Sequence, residues 1–212
     1  MCLLKRANKP EQKAQRRQQI LLATRKRFES LAFEEVNLNH IAADIGITKA
    51  ALYRYFRNKE TLFLALFVES LEELIQFSEA DAGQRSLTDT ICDALISQPL
   101  YCKLSAILHT ILERNLTLEE ANDFKHTLLV LMSRFAEQIM QHPDSLRLKP
   151  AQAVNLLMQI QESVIGVWHM THPTGAIAEV LQQPSLSLFN RSFDESLRAH
   201  IKLLTPTQNE ES

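Results

Sequence analysis

The sequence is poor in the residues that turn and interrupt a protein chain. Only four Gly occur in 212 residues, and the seven Pro are spread thinly. Scarcity of turn residues argues against a protein built from many short strands and tight turns. Apolar residues instead recur every three or four positions over long stretches, as in amphipathic helices. Together with a hydrophobic content of 45%, the pattern predicts an all-α protein with a substantial core.

Cysteines and long apolar runs are scarce as well. The chain has three thiols, at Cys2, Cys92 and Cys102, with no CxxC spacing. We therefore expect free cysteines in a reducing cytoplasm, and a redox switch is the less favoured alternative. No stretch approaches the roughly 18 apolar residues of a membrane span, so we expect no membrane partner. The N-terminal run MCLLKRANK is too short for a signal peptide, which favours a cytoplasmic protein.

Motifs of catalysis and cofactor binding are missing from the sequence. It contains no GxSxG, HExxH, P-loop or GxGxxG pattern, so we expect neither an enzyme nor a cofactor. His169 and His172 stand three residues apart near the end of a predicted helix. Because no Cys or carboxylate at ligand spacing accompanies them, we expect no metal site there.

The stretch 38–57, LNHIAADIGITKAALYRYFR, has the pattern of a helix, a three-residue turn and a second helix. Gly46 follows Ala42 by four residues, where the backbone must leave the first helix, and Gly adopts the left-handed conformation at little cost. Thr48 can cap the second helix, and Leu52 would point back to the first. This spacing predicts a helix-turn-helix. The alternative is an ordinary helical hairpin in a bundle.

Charge is divided unevenly along the chain. Residues 1–59 contain 13 Lys/Arg and 5 Asp/Glu, whereas residues 60–212 contain 10 and 20. A basic head on an acidic body suits a protein that places one end on a polyanion. At the N-terminus, Lys5, Arg6 and Lys9 could reach a minor groove, as basic arms do. A solvated tail is the alternative.

The motif and its flanks resemble the TetR/AcrR family of bacterial transcriptional repressors. The resemblance runs from about Arg17 to Leu66, through QILLATRKRFESLAF, IAADIGITKAALYRYF and NKETLFLAL. Ala32 and Val36 depart from the family pattern, which usually has Gly and often Thr there. We therefore expect the first helix to end by another geometry and Val36 to be buried. The resemblance implies a DNA-binding repressor with a variable ligand domain, which dimerises through its last two helices.

The second motif helix, predicted from Thr48 to about Phe56, would be the DNA-reading element. The resemblance implies that its lysine and tyrosines contact phosphate or the groove edge. Ala50 is small enough to approach a thymine methyl, and a phosphate would stabilise the Lys59 cation at the start of the next helix. The predicted DNA-binding residues are Asn37, Thr48, Lys49, Ala50, Tyr53, Tyr55 and Lys59.

A long fourth helix, capped by Asn58 and running to about Glu79, would act as a lever between head and body. We divide the chain there into a DNA-binding domain, 1–58, and an effector-binding and dimerisation domain, 59–212. The last two long helices are predicted over about 150–170 and 187–204. Their apolar stripes must be covered by the same chain or by a partner subunit. The predicted dimer interface comprises Val164, Trp168, Phe189, Phe193, Leu197 and Ile201.

Isolated polar groups in the apolar helices of the body are candidate anchors of an effector pocket. We assign to it His109, Glu113, His126, Glu162 and Trp168, although core packing is the alternative for Trp168. The sequence thus predicts a dimeric repressor, released from a near-palindromic operator by a small apolar or aromatic effector. One alternative is an effector-independent dimeric DNA-binding protein with an architectural or cell-division role. The other is a helical-bundle enzyme that kept the head as an interaction module.

Overall fold

The computed structural model describes residues 10–81, 85–145 and 148–205. Within these ranges the chain is helical and has no strand, which confirms the predicted all-α fold. Cys2 and the basic residues Lys5, Arg6 and Lys9 lie outside them. The α-helices are α1 (Pro10–Ser30), α2 (Leu38–Asp44), α3 (Lys49–Leu52), α4 (Lys59–Asp81), α5 (Leu87–Ser97), α6 (Pro99–Ile107), α7 (Leu118–Gln141), α8 (Pro150–Thr171), α9 (Gly175–Val180) and α10 (Phe193–Leu204).

Several helices begin at side-chain caps, among them the predicted cap Asn58. The side-chain oxygens of Asn37 and Asn58 accept amide hydrogen bonds in the first turns of α2 and α4. Thr117 and Glu120 form a reciprocal capping box at the start of α7, with hydrogen bonds of 3.2 and 2.9 Å. Because a helix leaves its first amides unpaired, these side chains define where the three helices start.

The end of α2 is a Schellman motif centred on Gly46. Its φ is 67°, in the left-handed region. The Gly46 amide donates to Ala43 O at 3.1 Å, and the Ile47 amide donates to Ala42 O at 2.9 Å. These two bonds satisfy carbonyls that the helix end would leave free. The prediction that Gly46 ends the first motif helix is confirmed.

The exit of α1 is stabilised without a glycine. The Ala32 amide donates to the Glu35 carboxylate at 2.7 Å. The Lys103 ammonium of α6 donates to the carbonyls of Phe28 and Leu31, at 2.6 and 3.0 Å, and a cation is favourable at this negative end of the helix dipole. Val36, 2% exposed, is buried as predicted.

One helix continues in another helical form, and one starts later than predicted. α6 is followed by a π-helical segment, Leu108–Leu112. The last helix begins at Phe193, not Ser187, because Ser192 caps it by accepting from the Glu195 amide at 3.4 Å. The preceding residues form α9 and a 3-10 segment, Pro184–Phe189.

One helix, α4, joins the apolar cores of head and body. It packs on α1 and on α5, α6 and α7. The Phe63 ring lies edge-on to Phe28 and Phe33, at centroid distances of 4.9 and 4.8 Å. One turn further on, Phe67 stacks on Tyr101 at 5.5 Å. Because the core is continuous across residue 58, the domain boundary there stays a prediction.

Two of the three thiols, Cys92 and Cys102, lie within the described residues. Cys92 and Cys102 are buried and unpaired. Burial raises the pKa of Cys92 to about 11 and that of Cys102 to about 12, which disfavours the reactive thiolates.

No single helix of the described ranges is long and apolar enough to cross a membrane. The bent pair Leu87–Ser97 and Pro99–Leu112 meets the criterion only jointly, by length and composition.

Substitution of Gly46 tests the left-handed end of α2. Gly46→Ala should lower the free energy of unfolding by about 1–2 kcal/mol, since a Cβ is strained at this φ. Gly46→Asn should cost clearly less, because Asn tolerates this conformation best among the other residues. Urea denaturation followed by circular dichroism gives both values. Equal stability of the Ala and Asn variants would contradict the observed geometry.

Candidate nucleic-acid interface and body cavity

The helix-turn-helix presents one exposed polar surface. Thr48 Oγ1 accepts from the Ala51 amide at 3.1 Å and so caps α3. This helix is shorter than predicted: it ends at Leu52, and turns continue the path to Phe56, with Tyr55 N donating to Leu52 O at 2.9 Å. A run of four helical residues therefore projects from the motif with its capped N-terminus exposed.

Five of the seven predicted DNA-binding residues are exposed on the motif, and they define what we call the recognition surface. Lys49 Nζ lies 5.7 Å from the centre of the Tyr53 ring, so the two side chains share one side of α3. Behind them Leu52 is fully buried, and Tyr55 is only half-buried because it packs against the same core. The recognition surface comprises Asn37, Thr48, Lys49, Ala50 and Tyr53.

Lys59 does not belong to this surface. Its ammonium donates to the carbonyl of Phe33, contacts that of Glu34 at 3.4 Å, and lies 4.2 Å from the centre of the Phe33 ring. Desolvation lowers the pKa of Lys59. Carbonyl groups between α1 and α2 accept the hydrogen bonds of the Lys59 ammonium. The predicted phosphate is therefore not needed to stabilise this cation at the start of α4.

Basic residues of α1 hold the motif in place. Arg27 forms a bidentate ion pair with Asp44 at the end of α2, at 2.6 and 2.8 Å, and these hydrogen bonds lower the pKa of Asp44. The Arg17 guanidinium lies 5.3 Å from the centre of the Phe56 ring. Part of the positive charge of the head therefore positions the recognition surface. Sequence reasoning missed these pairs, which lie far apart along the chain.

A second ion pair connects the head to the body. Arg57, directly after the motif, donates to both carboxylate oxygens of Glu120 at 2.7 and 2.6 Å and to Asn115 O at 2.7 Å. We call this arrangement the Arg57 latch. The hydrogen bonds from Arg57 lower the pKa of Glu120 to about 2. Because Glu120 also belongs to the capping box of α7, the latch links the recognition surface to the start of a body helix.

The body encloses a cavity of about 110 Å³ between α4, α5, α6, α7 and α8. Most of its lining is apolar, and polar atoms come from Tyr101, His109, Lys125 and Gln161. The Tyr101 hydroxyl donates to Gln161 Oε1 at 2.5 Å, and burial raises the pKa of Tyr101 well above its ordinary value. The phenol therefore remains a hydrogen-bond donor at neutral pH.

Only one of the five predicted pocket residues, His109, lines this cavity. Glu113 does not line the cavity. It accepts hydrogen bonds from Lys125 at 2.6 Å and from His109 at 3.1 Å. His126 and Glu162 are exposed because they lie on the outer sides of α7 and α8. Both assignments to the cavity are therefore corrected.

Trp168 is also outside the cavity, since its ring stacks on His172 and packs on Phe193, with centroid distances of 3.7 and 5.5 Å. His169, where the sequence predicts no metal site, bonds to Ala106 O at 3.0 Å. Across the described residues, no three His, Cys, Asp or Glu side chains are grouped to hold a metal ion.

The hydrogen-bonded pair in the cavity wall was not predicted from the sequence, and neither was Lys125. Tyr101 and Gln161 lie 60 positions apart, on α6 and α8, and only the fold brings them together. The available signal was weak: each is a polar residue within a strongly apolar helix.

The predicted dimer interface needs correction. Val164, Leu197 and Ile201 are 0% exposed in the single chain, because α10 packs its apolar stripe on α5 and α8. Phe193 is half-buried against Trp168, and Phe189 is exposed but belongs to the 3-10 segment. The outward side of the helix pair is instead formed by other residues, which we call the α8/α10 face: Gln159, Glu162, Gly166, Met170, His200 and Leu203.

The exposed helix-turn-helix on a helical body defines a DNA-binding regulator, and comparisons with known proteins specify which kind. Residues 20–66 match the model of bacterial regulatory proteins of the tetR family. Residues 64–205 match a tetracyclin repressor-like C-terminal domain. The chain belongs to the TetR family of transcriptional regulators.

Individual relatives are distant. The chain is 33% identical over 61 residues to an HTH-type transcriptional repressor of Mycobacterium tuberculosis. The aligned region is 29% of this chain and only a third of that relative. The fold resembles the fatty acid degradation regulator FadR from Bacillus halodurans (TM-score 0.57, 14% identity, 97% and 100% of the two chains). It also resembles NalD, the secondary repressor of the MexAB-OprM multidrug efflux pump in Pseudomonas aeruginosa. Here the TM-score is 0.50 and the identity 22%, over 92% of this chain and 95% of NalD.

The Arg57 latch makes stability depend on acidic pH. The pKa of Glu120 falls from 4.5 to about 2 in the folded protein. Since the folded value is the lower one, the latch stabilises the fold fully above pH 4.5 and loses its contribution as the pH falls toward 2. Glu120→Gln keeps a residue suited to the capping box but not the charge. Its melting temperature should be a few degrees below wild type at pH 7, and the difference should vanish near pH 2.

Glu119→Gln, which changes the adjacent exposed carboxylate, is the matched control and should reproduce the wild-type pH profile. Melting followed by circular dichroism between pH 7 and pH 2 measures all three proteins. A difference in melting temperature between wild type and Glu120→Gln that stays constant over this range would contradict a stabilising ion pair between Arg57 and the ionised Glu120.

Proposed function

We propose that this TetR-family regulator acts as a dimeric repressor, which occupies a near-palindromic operator and leaves it when a small apolar effector binds the body cavity. The observation that carries the proposal is the recognition surface: exposed polar and basic side chains on a motif whose inward side is fully buried. Repression would follow from occupancy alone, since a bound dimer blocks access to the same DNA. We expect a cytoplasmic protein that needs no cofactor.

Engagement of DNA follows from the chemistry of the recognition surface. The four residues of α3 enter a major groove, where Ala50 permits close approach and Lys49 and Tyr53 reach phosphates on the groove edge. Asn37 caps α2 and is exposed beside them. Two copies in a dimer would read half-sites about 34–36 Å apart or somewhat more.

Dimerisation is proposed through the α8/α10 face. Two copies of this helix pair would form a four-helix bundle about a twofold axis. Gly166 lies on this face, and a Cβ placed there would meet no atom within 4 Å of its own chain. Met170 and Leu203, 69% and 86% exposed, would be covered by the partner.

Release by an effector requires that the cavity and the recognition surface be coupled. Phe67 lines the cavity, and Phe63, one turn away on α4, packs in the head. The Arg57 latch offers a second connection through α7, which also lines the cavity. A ligand that fits only when α4 or α7 is displaced would favour a different spacing of the two heads and weaken DNA binding.

An effector-independent DNA-binding protein remains the alternative function. It would use the same recognition surface and dimer, and its cavity would be a packing defect. A thermal-shift screen separates the two: a compound that raises the melting temperature and also releases operator DNA supports the effector-controlled repressor.

Removal of Lys49 tests the recognition surface. Lys49→Ala should weaken binding to an operator selected from genomic fragments several-fold at moderate salt. It should also reduce the slope of log K against log salt by about 1, because one phosphate contact is lost. Tyr53→Ala should weaken binding as well, with little change in melting temperature.

Lys202→Ala is the control, since it removes the same charge from an exposed position on α10 in the body. Fluorescence anisotropy of labelled duplexes measures all variants. Unchanged affinity and salt slope in Lys49→Ala, or equal losses in Lys202→Ala, would mean that DNA is bound elsewhere.

A charge on the α8/α10 face tests the dimer. Gly166→Arg should yield monomers in sedimentation velocity. A Cβ at this position meets no neighbouring side chain in the single chain, whereas the arginine would be buried against the partner. Leu129→Arg, on the exposed outer side of α7, should remain dimeric. A dimer that survives Gly166→Arg would place the interface elsewhere.

A further inference from the structure

One buried hydrogen-bond donor at the cavity has no acceptor within the described residues. Gln161 Nε2 is inaccessible to solvent and makes no hydrogen bond there. The other end of the same amide is occupied, since Gln161 Oε1 accepts from the Tyr101 hydroxyl. Because a buried donor without an acceptor is costly, the cavity favours a molecule that brings an oxygen to this nitrogen.

The rest of the cavity wall favours an apolar molecule. Beyond the Tyr101–Gln161 pair, the lining is dominated by aliphatic and aromatic side chains, which offer dispersion contacts but no further hydrogen bonds. These residues are Phe67, Leu74, Ile91, Leu95, Leu128, Met132, Phe135, Leu157 and Ile160, among others.

The charge at the cavity argues against an anion. Lys125 is the one formally charged residue among the described lining residues, and Glu113 already pairs with it at 2.6 Å. Glu113 also bonds to His109, so this end of the cavity has no uncompensated positive charge. A buried carboxylate would lose its hydration without gaining a free cation.

We propose that the cavity binds an uncharged, mainly apolar carbonyl compound, such as a ketone, ester, lactone or amide, whose oxygen accepts a hydrogen bond from Gln161 Nε2. Tyr101 is a positioning residue: its hydroxyl holds the amide oxygen, and so keeps the amide nitrogen available to the ligand. The inference rests on the proposed function only in taking this cavity as the effector site, and it adds the chemical class of the effector.

Three probes of one carbon skeleton test the class. The volume of about 110 Å³ is somewhat below the roughly 150 Å³ of an apolar cavity that holds benzene, so five-membered rings suit it. Cyclopentanone, cyclopentane and cyclopentanecarboxylate are titrated into the full-length ¹⁵N-labelled dimer at neutral pH. Two-dimensional NMR follows two sets of resonances. The backbone amides of the cavity-lining residues yield each dissociation constant, also in variants at position 161, and the Gln161 side-chain NH₂ reports the hydrogen bond.

Cyclopentanone should bind about fivefold more tightly than cyclopentane, the gain expected for one added hydrogen bond. It should also move the Gln161 NH₂ resonances downfield, and cyclopentanecarboxylate should bind more weakly than either. Tighter binding of the carboxylate, or equal binding of ketone and hydrocarbon, would overturn the proposal. The absence of saturable shifts with all three probes would overturn it too.

Variants separate a hydrogen bond from a change of shape. Gln161→Met keeps a side chain of similar length without the donor, and should bring the cyclopentane-to-cyclopentanone ratio of dissociation constants from about 5 to about 1. Tyr101→Phe should lower this ratio partway, since the amide is no longer oriented. If Gln161 and Tyr101 only maintained the shape of the cavity, their substitution would weaken the binding of both probes alike and leave the ratio unchanged. An unchanged ratio would therefore contradict the proposal. Gln141→Met, an exposed substitution at the end of α7, outside both the cavity and the α8/α10 face, is the control.

Operator binding, measured in parallel by anisotropy, separates this inference from the proposed function. If cyclopentanone binds through Gln161 at saturation and the operator stays bound, the ligand class holds and control by this cavity fails. If cyclopentanecarboxylate releases the operator and cyclopentanone does not, control holds and the ligand class fails.

Discussion

The structure depends on two phenylalanines one turn apart on a single helix. Phe63 packs in the core of the head against α1, and Phe67 packs in the core of the body and lines its cavity. Because interiors are close-packed, neither ring can shift far without moving its neighbours. In the proposed repressor, a ligand that changed the shape of the cavity would act along α4 on the helices that support the recognition surface.

Polar contacts reinforce this apolar connection on both sides of the head. Lys103 reaches from α6 to the last carbonyls of α1, and Arg57 reaches from the motif to the capping box of α7. Since the helices behind both contacts line the cavity, the head has three separate attachments to the region that a ligand would occupy. A ligand that favours one arrangement of α4, α6 and α7 would therefore favour one arrangement of the motif.

Features fixed by near neighbours in sequence were predictable, and features set by distant contacts were not. Gly46 and the helix caps depend on residues within five positions, so the motif was identified correctly. The apolar stripe of Leu197 and Ile201 shows the same periodicity whether its own chain or a partner covers it, and only the packed structure shows that α5 and α8 do. Contacts across about 60 residues, such as Tyr101 with Gln161, left no local pattern.

We propose that the exposed side of α3 lies in a DNA groove within a twofold dimer. Directed hydroxyl-radical cleavage tests it most directly, with an iron chelate tethered at Ala50→Cys and, as control, at Leu129→Cys. We predict two clusters of operator cleavage from position 50, on symmetric half-sites about 34–36 Å apart or somewhat more, and no cleavage from position 129. Uniform cleavage from position 50, or stronger cleavage from position 129, would contradict the account.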